Sequence, residues 1–366
     1  MFLTARLFGV FTYIVLMLLA LAGVRYLPQR RTKYVLGIYL IALCIVAWCY
    51  VPYITTDIYR LQKFAFEYAQ MPLNDFMYLL ANSKSGLFTL IYFRLFAQCL
   101  MPVTCGIVFG SMFYILLNTS AQQQVSRSVI MLSLFWLMTN DFYLVSITNI
   151  RSYVAVAFVA FCIYREVFQH KFGLFNILLY VCAIEMHSIG IVLVAFRTLI
   201  YLVFGGRITI WKLLLVPLII ATLIFSFPFY QNLLLDSTEK MEAYYAEGYY
   251  EYVWERVIFI IQTLVQGYIL CKAYIYRLFT EEKFAPYKLL VTGAVIVLAI
   301  CQIHVTFAQR WIIFSTILEI PVLVRLLQQE EEKNRHQIKQ FLIASCLITF
   351  AFVCTRGNLC SLKFWE

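Results

Sequence analysis

Arg151 stands directly before the apolar run 152–164, His187 with Ser188 interrupts the apolar stretch 172–204, and Arg310 opens the run 311–328. A guanidinium stays charged when partly desolvated and must then meet an opposite charge or water. An imidazole titrates near neutral pH and can move a proton. Asp57 with Arg60, in "TTDIYRLQKF", and Arg256 stand at other ends of apolar runs. Anion binding and proton transfer are therefore the chemistry open to this set, provided the chain brings its members together.

The elements that must do so are membrane helices. With 63% apolar and 13% charged residues, the chain has too little polar surface to solvate a globular fold of this size. Apolar runs near residues 7–24, 34–53, 86–117, 128–147, 152–164, 172–186, 188–204, 210–229, 257–271, 286–304, 311–328 and 340–355 predict an all-α, polytopic membrane protein. At roughly twenty residues per span, they amount to about eleven or twelve helices, some short or re-entrant. No cleavable signal is expected, because the first run continues to Val24 without a small-residue cleavage site. Residues 1–366 read as a single membrane domain without an internal repeat of the transporter kind. The eleven cysteines are scattered through apolar runs without zinc or disulfide spacing and read as small hydrophobes. The net charge of +10 sets loop orientation rather than indicating nucleic acid.

Basic clusters mark the cytoplasmic loops: Arg25, Arg30, Arg31 and Lys33; Arg127; Arg165 and Lys171; Arg207 and Lys212; Lys272 and Arg277; Arg325, Lys333, Arg335 and Lys339. The alternate loops, about 54–85, 141–151, 230–256 and 305–310, then face outward. Helical rise places Arg151 about 21 Å from Arg165, Arg310 about 22 Å from Arg325, His187 about 24 Å from Lys171, and Arg256 about 24 Å from Lys272. Against a hydrocarbon core of about 30 Å, all four should lie below the outer surface, which one outward-facing cleft would satisfy. His187 and Ser188 are expected to form the turn of a broken or re-entrant pair, and Arg197 leaves two readings of its second helix, one that ends early with 198–206 interfacial and one that continues. Residues 86–97, which include Arg94, are expected at the interface, with the span starting near Gln98.

The stretches "TNIRSYVAVAFVAFCIYR", "LLYVCAIEMHSIGIVLV" and "TFAQRWIIFSTILEIP" resemble the EpsG-like branch of the Wzy-type polysaccharide polymerases, through Arg151, His187 with Ser188, and Arg310 with Pro321. Asp57 and Tyr59 look like that family's outer Asp-Tyr loop. Ser152 departs from the glutamine common in the family, and Glu185 places a carboxylate where small or apolar residues are usual.

The resemblance implies a bacterial inner-membrane enzyme that transfers a growing glycan from a polyprenyl pyrophosphate onto a lipid-linked repeat unit at the outer face. Arg151 and Arg310 would then grip the pyrophosphate, with Arg256 as a third candidate, and their charge could stand in for a metal ion. No cofactor is required. His187 and Asp57 are the candidate bases for the acceptor hydroxyl, and Glu185 is expected to pair with an arginine. Tyr249, Tyr250 and Trp254, in an outer segment that also carries carboxylates, are candidate glycan contacts, although membrane-interface anchoring explains the same composition. Implied partners are the lipid-linked oligosaccharide and membrane lipids, with a chain-length regulator as a further candidate. A lipid-linked glycan flippase and a membrane O-acyltransferase are the alternatives. The first would need polar groups along its whole path, and the second a site reachable from the basic face.

Overall fold

A computed structural model describes residues 2–52, 57–83, 86–140, 142–204, 252–302, 305–333, 336–355 and 362–365. Regular structure among them is entirely helical. Seven helices are long and apolar enough to cross a membrane, and three shorter apolar helices accompany them. The chain is thus a polytopic membrane protein by length and composition of its helices.

The first two helices, α1 (Phe2–Tyr26) and α2 (Thr32–Cys49), are apolar on all sides. They expose Leu18, Leu19, Ile38, Ile41 and Ile45, as expected of helices at a lipid boundary. The hub is α14 (Val305–Glu332), in which 89% of the span is buried, so helices pack around it on all sides. Its neighbours include α6 (Leu100–Gln123), α7 (Arg127–Met138), α9 (Ile150–Phe168), α12 (Tyr252–Ile275) and α13 (Ala285–Cys301). The last helix, α15 (Gln337–Thr355), packs on α7 and α12.

Contacts far apart in sequence define two ends. At one end Gln29 donates to the Val125 carbonyl, Gln328 to that of Gln123, and Phe168 meets Phe284 and Tyr287. That end carries the basic turns. At the other, Tyr153 donates to the Gln309 carbonyl at 3.0 Å, the Leu87 amide to Glu185 at 2.9 Å, and the Val51 amide to the Lys363 carbonyl at 3.0 Å. The candidate residues gather there.

The structure changes two expectations and decides between the two readings at Arg197. The helix after Arg151 does not stop near residue 164. It runs through Arg165 and Glu166 to Phe168, about 28 Å of rise, because Glu166 is neutralised inside the protein by Arg197. Arg151 is therefore not drawn inward by a short helix. Nor does Arg197 end its helix, since α11 spans Ser188–Phe204 with Arg197 buried at its middle. Residues 142–147 are not a solvated loop either. They are buried, mostly within the short helix α8 (Tyr143–Thr148), because their large apolar side chains have a core to enter and Tyr143 donates to the Leu43 carbonyl at 2.7 Å.

The long apolar stretch 87–123 is divided. Residues 97–99 form a tight turn of helix that separates α5 (Leu87–Phe96) from α6. Here α5 packs on α3 (Asp57–Gln70) and α10 (Leu174–Met186), whereas α6 packs on α2 and α9. The amphipathic α3 buries Ile58, Leu61 and Ala65 on one face, and α4 (Leu73–Asn82) follows it. Arg94 fixes their connection by donating to the Met71 carbonyl at 2.9 Å, with its guanidinium 4.3 Å above the Phe76 ring.

Candidate functional site

The site is assembled by three interruptions of helix. The first precedes Arg151, where Asn149 leaves helical geometry (φ −98°, ψ 51°) and lets α9 start in a new direction. The second is His187, whose extended backbone separates α10 from α11. The third is the start of α14, on which Arg310 lies.

Tyr153 ties the first to the third. It lies two residues beyond Arg151 and donates to the carbonyl directly before Arg310, which sets both arginines at one level. The two guanidinium groups fall within electrostatic range of each other, and His187 is within range of both. All three are partly buried. Asp57 lies within electrostatic range of both arginines, and Arg60 and Tyr68 within range of Arg151, so α3 passes near the group. Burial pushes the Tyr68 phenol above its ordinary value, with Glu67 adding to the effect and Arg151 opposing it.

Among the described residues, neither Arg151 nor Arg310 has a carboxylate within ion-pair distance. Asp57, the nearest negative charge, directs an oxygen to Arg60 at 3.0 Å and is itself well exposed. Two like charges held together without an acidic partner form an electrostatic sink for an anion, with the fork geometry that suits phosphate oxygens.

His187 is held in one tautomer. Its Nδ1 accepts the Ile189 amide at 3.1 Å and lies 3.3 Å from the Ser188 hydroxyl, so the ring caps the first turn of α11. In the neutral ring the proton then resides on Nε2, which makes that atom a donor. Further along the same two helices, the buried pair of Glu166 and Arg197 ties α9 to α11.

The break at His187 is supported from below. Glu185 does not pair with an arginine. Its Oε2 accepts the Leu87 amide and so caps α5, while the Thr89 hydroxyl lies 3.0 Å from the carbonyls of both Glu185 and Met186. Gly86 permits this approach, since a Cβ there would fall 1.8 Å from the Glu185 carbonyl oxygen. Gly190 does the same for the α10–α11 turn, where a Cβ would lie 2.1 Å from the Ala183 oxygen.

Of the remaining sequence candidates, Arg256 is an exposed residue of α12 and is not among the electrostatic neighbours of Arg151, Arg310 or His187. Tyr249, Tyr250 and the Trp254 side chain lie outside the described residues. Sequence reading missed Tyr153, Tyr68 and Thr89. For Tyr153, the available signal is a phenol two residues beyond the arginine at the start of a long apolar run.

Fold and site together define a polytopic membrane protein with a cationic, histidine-containing cluster at the end opposite its basic turns. No family model, curated protein or solved structure matches the chain.

Proposed function

We propose that the protein is a bacterial inner-membrane glycan polymerase of the EpsG-like, Wzy type. It transfers a growing glycan from a polyprenyl pyrophosphate carrier to a lipid-linked repeat unit. The basic turns face the cytoplasm by the positive-inside rule, so the cluster faces outward in a cleft near α3. The observation that carries this reading is the convergence of Arg151 and Arg310 with His187 at one end, without a carboxylate to neutralise the arginines.

In the reaction the acceptor hydroxyl oxygen bonds to the anomeric carbon of the donor sugar as the bond from that carbon to the pyrophosphate oxygen breaks. The departing polyprenyl pyrophosphate gains negative charge, which Arg151 and Arg310 accept through paired N–H donors. His187, with its Nδ1 occupied by a backbone amide, suits donation from Nε2 to a pyrophosphate oxygen better than proton abstraction. Asp57, acceptor-rich and exposed at the edge of the cluster, is the better candidate to take the hydroxyl proton. Tyr249, Tyr250 and Trp254 are proposed as glycan contacts on their chemistry alone, since aromatic faces suit sugar C–H surfaces.

The test is the chain-length distribution of surface and lipid-linked polysaccharide in a deletion strain complemented with wild type or Arg151→Ala at matched protein level. Loss of the long ladder with single repeat units retained is the expected result for both the deletion and Arg151→Ala. An unchanged ladder in the deletion rejects polymerisation of that glycan. An unchanged ladder only in Arg151→Ala removes the site and leaves the class.

A further inference from the structure

Away from the cationic cluster, α14 carries a carboxylate that the proposed reaction does not use. Glu319 is 0% exposed, and neither of its oxygens has a hydrogen-bond partner among the described residues. An isolated charge in a low-dielectric interior is far costlier than a carboxyl that keeps its proton. The charged groups of the packed helices do not relieve it. Arg256 and Lys272 on α12, Lys288 on α13, Arg151, Arg165 and Glu166 on α9, Arg127 on α7, and Arg310 and Arg325 on α14 itself make no hydrogen bond to it. Tyr287 of α13 lies within electrostatic range, but its hydroxyl donates to the Leu318 carbonyl.

Buried polar side chains are spaced at helical intervals between the site end and this carboxyl. Gln262 of α12 donates to Asn140 Oδ1 at 3.2 Å, and Gln266, one turn deeper, donates to Thr316 Oγ1 at 2.7 Å. Thr316 precedes Glu319 by three residues, so the two are neighbours on one helix face. Both glutamine amide oxygens are buried without a donor, as are the carboxyl oxygens. The series descends about 10 Å from Gln262 to Glu319 and ends about 13 Å of rise below Arg310. Its orphan groups are acceptors, which is the complement of a hydrated proton.

We infer that Glu319 is a proton-carrying site within the membrane, reached from the outer end through Gln262, Gln266 and Thr316. A single carboxyl oxygen suffices to hold a proton, and no group of three or more acidic, histidine or cysteine side chains able to bind a metal ion occurs among the described residues. The inference is independent of the glycan reading, since it rests on burial and on the polar series alone.

Infrared spectroscopy of the purified protein in lipid tests it. The wild-type minus Glu319→Gln difference spectrum at neutral pH should contain the carbonyl band of a protonated carboxylic acid, and that band should shift on exposure to D2O. Gln266→Leu should slow the shift roughly tenfold, as expected for one lost donor in the path. Should Glu319→Gln fail to fold, Glu319→Asp assigns the band by moving it. Carboxylate bands in place of the acid band, with or without sodium, would overturn the proton site, and an unchanged exchange rate in Gln266→Leu would overturn the route.

Discussion

Removing Glu166 should destabilise the protein far more than the loss of an ordinary ion pair. Arg197 and Glu166 have side chains only 3% and 5% exposed, so the pair is sealed from water. Arg197 Nε donates to Glu166 Oε2 at 3.1 Å, the Tyr180 hydroxyl donates to Oε1 at 2.8 Å, and the guanidinium lies 4.4 Å from the centre of the Tyr201 ring. Glu166→Ala strands a buried guanidinium, worth about 3–5 kcal/mol, and a buried phenol, worth about 1 kcal/mol more. Arg197→Met strands the carboxylate at a similar loss. Replacing both at once, Glu166→Leu with Arg197→Met, removes the desolvation penalty together with the attraction and should lose less than either single change. Unfolding free energies from denaturing-detergent titration of the purified variants provide the cycle. The same pair fixes α9, which begins at Arg151, against α11, which follows His187, so the single variants should also shorten the polysaccharide ladder. Single losses under about 1 kcal/mol, the value of an exposed pair, or simple additivity in the double variant would refute the reasoning.

Three further outcomes follow from the site. His187→Asn keeps an N-cap acceptor for α11 and should unfold like wild type, whereas His187→Ala should lose about 1 kcal/mol; both should abolish long polymer, and an active Asn variant would remove the imidazole from the mechanism. Arg151→Lys and Arg310→Lys keep charge but lose the planar fork, so each should behave nearly as its alanine counterpart in the ladder assay, and full activity in either would reduce that arginine to a point charge. Gly190→Ala forces α10 and α11 apart at the Ala183 carbonyl and should collapse the monodisperse yield on size exclusion; a wild-type yield would contradict the close approach.

The long helices were legible because a span must be apolar for about twenty residues, and that signal is local. The gathering of Arg151, His187 and Arg310 was legible as an alternation of loops with one sign of charge, which also needs no tertiary detail. The break at His187 could be read because His-Ser interrupts an apolar stretch. What failed were inferences that a charged residue inside an apolar stretch must end the helix. The apolar run after Arg151 stops at residue 164 while its helix continues through Glu166, and Arg197 lies inside its helix, because the two charges neutralise each other across thirty-one residues of sequence. Glu185 shows the same failure in reverse. Its partner is a backbone amide of α5, and no sequence pattern announces a main-chain partner so distant in the chain. Glu319 was visible as a carboxylate inside an apolar run, but nothing in that run shows that the helix around it is enclosed by protein rather than lipid.

The most direct test of the central claim is binding of a glycan-free polyprenyl pyrophosphate to the purified protein in lipid nanodiscs, compared with the monophosphate and with the Arg151→Ala/Arg310→Ala variant. Charge-assisted hydrogen bonds of about 1.5–3 kcal/mol each predict pyrophosphate binding at least roughly tenfold tighter than monophosphate binding, with that preference lost in the double variant. Equal affinity for the two carriers, or a preference that survives the loss of both arginines, would contradict the assignment of this cluster to the pyrophosphate.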